Sequence, residues 1–394
     1  MKKLCLLTLS LAAILSTTAA KASPADTLTM IVGSYTDSDS ADGIRVYRFN
    51  QVDGTARHIS SAKAGNASFL ALGRGGDRIY CVNEYSDGRQ AVTAFAFDKR
   101  EGTLKRINSQ PTSEDSIADG WYSAESRGEK PQVHNSGADP CFIVAGDGFV
   151  ATANYTGGDV SVFPLSADGS LMVQSQHFDF FEGEPTKHAH LHCLRPTPDG
   201  RFLLGCDLGN DCLYRFELGC DTTDAGEVFF LSSPTIAFKG AEGSGPRHLT
   251  FSPDGRHAYL LNELNGHVSV FAYSDGSLAL VQDIPPQPED GPGSADIHLS
   301  PNGKFLYASR RLKDNGITVF SIDGKTGKAR RTGFQPTGKH PRNFGITPNG
   351  KYLLAACRDS NVIEIYKIDP VTGLLQKTGG EINLSKPVCI VFAQ

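Results

Sequence analysis

The stretch GSGPRHLTFSPDGRHAYLLNE, Gly243 to Glu263, decides the fold. At its centre Pro253-Asp254-Gly255 is a tight-turn signature, with a glycine free to take the positive φ such turns need. A short strand, Arg247–Ser252, precedes the turn, and a second, more apolar one, His257–Asn262, follows it. The same punctuation recurs at Pro198-Asp199-Gly200, Pro301-Asn302-Gly303 and Pro348-Asn349-Gly350, about 47 to 55 residues apart. That period belongs to the blades of a propeller. Weaker copies stand at Arg74-Gly75-Gly76-Asp77 and Ala145-Gly146-Asp147-Gly148.

Outward from these turns, seven first strands can be read: Ser68–Gly73, Cys141–Ala145, His192–Pro196, Arg247–Ser252, Ile297–Ser300, Arg342–Thr347 and Pro387–Ala393. Six have a following strand, namely Arg78–Asn83, Phe149–Asn154, Phe202–Asp207, His257–Asn262, Phe305–Ser309 and Tyr352–Cys357. The last has none, because the chain ends there. Thr27–Tyr35, followed by Gly43–Phe49, supplies the missing partner. The expected fold is therefore all-β, a seven-bladed β-propeller with one blade closed by N-terminal strands plus the C-terminal strand. Closure removes open sheet edges that would invite aggregation.

Residues 1–22 read as a signal peptide: Met1-Lys2-Lys3 is a positive start, Leu4 to Ala12 an apolar stretch, and Ala20-Lys21-Ala22 a small-x-small cleavage pattern. Residues 23–394 then form a single propeller domain, periplasmic or secreted. No later stretch reaches about 18 apolar residues, so no membrane span is expected. The net charge of −5 points to neither nucleic acid nor an anionic membrane. Glu114 to His134 is a polar insertion, read as a surface excursion. Eight cysteines remain after Cys5; most lie in apolar strand runs as small hydrophobes, and Cys212 with Cys220 is the expected bridge if one forms.

Strand polarity converts the pattern into a site. First strands start, and second strands end, at the same mouth of the central channel. Reading those positions collects His190, His192, Arg247, His298 and Arg342 from the starts, and Glu84, Glu263 and Arg311 from the ends. A net acidic chain thus gathers Arg and His at one rim, while the opposite turns repeat a structural formula. Guanidinium groups suit a carboxylate or phosphate, and Glu263 among cations would stay ionised and could act as a base. The plain alternative is that the arginines pair with Asp207, Asp296 and Asp359 between blades. His188, His190 and His192 alternate along one strand face, yet no carboxylate or thiol ligand accompanies them, so neither metal nor cofactor is expected. His248, next to Arg247, should face the other side of its strand. No GxSxG, HExxH or phosphate loop occurs.

These motifs resemble the seven-bladed lactonase family, which includes propeller-type 6-phosphogluconolactonases and carboxy-muconate lactonizing enzymes. The resemblance rests on Gly243 to Glu263, Tyr307–Arg311, Gly338–Thr347 and Ala189–His192, with further pieces at Gly33-Ser34-Tyr35-Thr36, Ser68–Leu72, Val82-Asn83-Glu84 and Ala153-Asn154-Tyr155. It implies a catalytic set of His192 (or His190), Arg247, Glu263 and Arg311, all among the rim positions above; His190, Arg342, His298 and Glu84, from the same rim, are expected to contact the substrate. Two departures stand out. The family's HPH is His190-Leu191-His192 here, and the Asn expected before the second arginine is Arg310. The implied activity is hydrolysis of a sugar-acid lactone, with a small anionic sugar lactone or sugar acid as ligand. A muconate-type cycloisomerase, or a non-catalytic propeller binding a glycan or protein, are the other readings; oligomeric state is not legible.

Overall fold

The computed structural model describes residues 26–39, 41–113, 135–180, 189–222, 228–287 and 290–393. The signal-peptide reading, the Glu114 to His134 insertion and His188 lie outside those residues. Seven antiparallel sheets form the blades, and in one of them an extra strand joins the usual four. The closing blade is assembled as expected: β1 (Thr27–Ser34) pairs on one side with Ile44–Asn50 and on the other with the C-terminal Pro387–Ala393. Among the described residues no helix is long and apolar enough to cross a membrane.

The repeated turn has a single local cause. A Ser or Thr just before the proline hydrogen-bonds the Asp or Asn just after it, as in Ser252 Oγ to Asp254 at 2.6 Å and Ser300 Oγ to Asn302 at 2.7 Å. The same hydroxyl accepts the amide N–H that opens the next strand, at 3.0 Å for His257 and for Phe305. One side chain thereby satisfies groups on both sides of the reversal. Blades are then tied to their neighbours by second-strand tyrosines: Tyr259 donates to Gly327 O at 2.9 Å and Tyr307 to Gly373 O at 2.9 Å. Between these ties the second strands, such as Phe202–Asp207 and Tyr352–Cys357, are buried throughout. Each fully buried Leu or Phe among them is worth about 1.5–3 kcal/mol.

The bridge expected between Cys212 and Cys220 does not form. Both cysteines lie in one extended strand, Cys212–Thr222, eight residues apart. At about 3.3 Å per residue that is about 26 Å, well beyond the roughly 7 Å a disulfide spans. Cys212 is a free, buried thiol.

Candidate active site

The innermost strand of most blades carries a bulge at its second residue. Register slips between Pro140 and Phe142, Leu191 and Cys193, Pro246 and His248, and Pro341 and Asn343. The residues left unpaired are Cys141, His192, Arg247 and Arg342. A bulge re-aims a side chain that ordinary pleating would commit elsewhere, and here it does so at the same mouth in four blades. It also explains a departure from expectation. Arg247 and His248, adjacent in sequence, do not face opposite sides: Arg247 NH1 lies 3.3 Å from His248 Nε2.

Glu263 is the centre of the cluster. Its Oε1 accepts a hydrogen bond from Arg311 NH2 at 2.7 Å, and its Oε2 lies 2.7 Å from Arg247 Nε. The second contact closes an ion pair on a guanidinium side chain only 1 % exposed, so the carboxylate bridges both arginines. Burial would raise the Glu263 carboxyl, but Arg247, Arg311 and Arg342 outweigh it and hold it below its ordinary range. Arg311 is fixed from behind by the Gly293 and Ser294 carbonyls, each at 3.1 Å. Burial and the nearby Arg247 charge pull it down to about 9, so it remains a cation at neutral pH.

His192 is fully enclosed. Burial first, then the charges of Arg247 and His248, holds its imidazole well below the usual value, so it is neutral at physiological pH. Its Nδ1 is 3.7 Å from Cys141 Sγ. Burial also raises the Cys141 thiol far above its normal range, which removes it as a thiolate nucleophile. His190 stands at the rim, stacked on Tyr155 at 4.3 Å between ring centres and bonded to the Tyr155 carbonyl at 2.8 Å. Tyr155 in turn meets His192 edge-on.

Across the mouth, Tyr35 donates to Glu84 Oε1 at 2.6 Å, and Arg342 lies 3.6 Å from the same oxygen and over the Tyr35 ring. Burial pushes the Tyr35 hydroxyl up, so it stays a donor. Glu84 Oε2 is buried without a hydrogen-bond partner. His298 is placed differently from the other rim residues: its Nε2 bonds Asp296 at 2.8 Å and its ring meets Phe344, two residues deeper along the strand than Asp296. The alternative pairing with Asp207, Asp296 or Asp359 between blades does not describe Arg247 or Arg311, which both hold Glu263, nor Arg310, which contacts buried Asp290.

Sequence reasoning does not single out Tyr35 or Cys141 as members of this cluster, and it turns His248 to the far side of its strand. Cys141 looked like core, and it is buried; what hid its position beside His192 was the bulge. Among the described residues no group of three or more His, Cys, Asp or Glu is placed to hold a metal ion.

Residues 29–392 match the family model for the seven-bladed β-propeller lactonase. The chain belongs to that family. Within it, a 6-phosphogluconolactonase of Formosa agariphila is 35 % identical over 366 residues, covering 90 % of this chain and 96 % of the relative. The solved structure of a candidate 6-phosphogluconolactonase from Bacteroides fragilis superposes with a TM-score of 0.83 at 43 % identity, covering 94 % of this chain and 98 % of that one. The periplasmic gluconolactonase of Pseudomonas aeruginosa superposes with a TM-score of 0.80 at 28 % identity, over 93 % and 99 % of the two chains.

Proposed function

We propose that this lactonase-family propeller hydrolyses a sugar-acid lactone at the Arg247–Glu263–Arg311 mouth. The carrying observation is the pair of buried guanidinium groups, Arg247 and Arg311, bridged by Glu263 beside a neutral imidazole. In this reading Arg247 and Arg311 receive the negative charge that develops on the lactone carbonyl oxygen. His192 Nε2 takes a proton from water as the new C–O bond forms. When the tetrahedral intermediate collapses, the ring C–O bond breaks and the same imidazole returns the proton to the leaving alkoxide. The product is the open hydroxy acid. Of the two candidate bases, His192 fits better, because both Glu263 oxygens are occupied by guanidinium groups and its carboxylate serves to hold them.

A panel of aldonolactones, phosphorylated and unphosphorylated, followed by pH-stat tests this. The wild type should turn over at least one lactone, and Glu263→Ala should lower kcat/KM by about 100-fold or more. Absence of turnover alongside sugar-acid-dependent thermal shifts would favour a binding propeller. We also infer export, on the basis of the Met1 to Ala22 reading and the periplasmic relative. Mass analysis of the protein from the producing cell should find a mature chain starting at Ser23.

A further inference from the structure

Below the Arg–Glu cluster lies a second tier of channel-facing side chains, one residue further along each inner strand. Register equates five of these positions: Phe69, Phe142, His248, Asp296 and Asn343. On one side the tier is aromatic, with Phe69 and Phe142 at 4.2 Å and Phe142 edge-on to His248 at 5.5 Å. On the other it is polar and no less buried, His248, Asp296 and Asn343 being 3, 2 and 4 % exposed. A buried carboxylate is a costly way to fill a channel that phenylalanine fills equally well three blades away. That cost needs a reason.

The hydrogen bonds supply one. Asp296 Oδ1 is 2.8 Å from His248 Nδ1 and accepts the Ile297 amide at 2.9 Å. Its Oδ2 accepts from His298 Nε2 at 2.8 Å and from Asn343 Nδ2 at 2.5 Å. Its position is therefore set by groups from three blades. Because Asp296 can only accept, the His248 proton belongs on Nδ1, and Nε2 presents a lone pair. That lone pair faces Arg247 NH1 at 3.3 Å, and the same NH1 also bonds the Ala295 carbonyl. Burial, reinforced by the Arg247 charge, pushes His248 down to about 3, so Nε2 remains an acceptor at working pH.

We propose that Asp296 and His248 are positioning residues for the reaction: the carboxylate fixes the imidazole tautomer, and the imidazole anchors the Arg247 guanidinium in place to meet the developing oxyanion. The catalytic part of this inference rests on the lactonase reading above; the tautomer part does not. Neither residue touches the substrate. They act through Arg247, as an orienting partner acts through the group it holds.

The test has two arms. In protein labelled with nitrogen-15 histidine, with the His248 signals identified by their loss in His248→Phe, the wild type should show a single neutral tautomer protonated on Nδ1. Asp296→Asn should shift proton density towards Nε2. A wild-type ring protonated on Nε2 would overturn the proposal whether or not any lactone is turned over. In the kinetic arm, His248→Phe should lower kcat by about 10–100-fold with KM changed less than about threefold. His248→Gln, whose amide oxygen restores an acceptor, should recover most of the loss. In the Arg247→Ala background His248→Phe should cost nothing further. Equal, additive losses in both backgrounds, or full activity in His248→Phe, would refute the assignment. Should His248→Phe fail to fold, the same comparison is made with His248→Gln and Asp296→Asn, where Asp296→Asn should lower kcat and His248→Gln should not.

Discussion

Glu263 lies between two guanidinium groups, and His192 lies where burial and nearby cations disfavour a resident second proton; at the residue scale the proposed chemistry rests on these two facts. A histidine whose imidazole is held well below 6.5 stays a base as the pH falls through that value. The activity should therefore show no acid limb near pH 6.5: kcat/KM should stay flat between about pH 5.5 and 7.5, falling only at lower pH. A half-maximum near 6.5 would mean that the base is an ordinary exposed histidine. The residue types were readable before any coordinates, because strand polarity alone puts Arg247, Glu263, Arg311, Arg342 and His192 on one rim. Their partners were not. His248 was assigned to the far face on the assumption of regular pleating, and a one-residue bulge reverses that inference. His298 was grouped with the rim, whereas it bonds Asp296 deeper in the channel.

At the scale of the element, second strands were legible almost to the residue. Arg78–Asn83, Phe149–Asn154, Phe202–Asp207, His257–Asn262 and Tyr352–Cys357 have the bounds their flanking turns indicated. First strands began a residue or more earlier than expected in several blades, as in Leu191–Pro196 and Ser294–Leu299, because bulged starts break the alternation. Outer strands such as Thr103–Pro111 and Ala329–Pro336 went unassigned; they are half-exposed and lack a clean period. The Gly33-Ser34-Tyr35 segment carries a packing constraint that composition does not reveal. A Cβ on Gly33 would sit 2.2 Å from the Ala67 carbonyl oxygen, a backbone atom that cannot swing away. Gly33→Ala should cost about 1–3 kcal/mol in denaturant unfolding, by forcing the closing blade off its neighbour. Since Tyr35 follows directly, activity should fall with stability.

Across the whole molecule, three buried histidines make stability depend on pH. Burial is the first cause in each: His192 is held well below its ordinary value, and His248 and His340 are pushed down to about 3. Below about pH 6.5 the unfolded chain protonates these groups and the folded one does not, so the unfolded state binds more protons and stability falls with pH. His248 and His340 each contribute up to about 1.4 kcal/mol per pH unit in the window from about 6.5 down towards about 3, and His192 adds a loss of the same sign below about 6.5. Glu263 and Asp296, both held low when folded, add a loss of the same sign at the acid end. Tm should thus decline steeply from pH 6.5 to 4, and replacing His340 with Gln should flatten part of that slope. A Tm that is constant over this range would contradict the burial of neutral imidazoles. The proposed site lies at one mouth, whereas the opposite face is occupied by repeated turns whose side chains bond one another and their own backbone. A structure of the protein with a bound sugar acid tests that placement most directly. The account predicts the product carboxylate within hydrogen-bond distance of the Arg247 and Arg311 guanidinium groups, with its freed hydroxyl near His192; a sugar acid seated elsewhere, with the Arg247–Glu263–Arg311 cluster untouched, would contradict it.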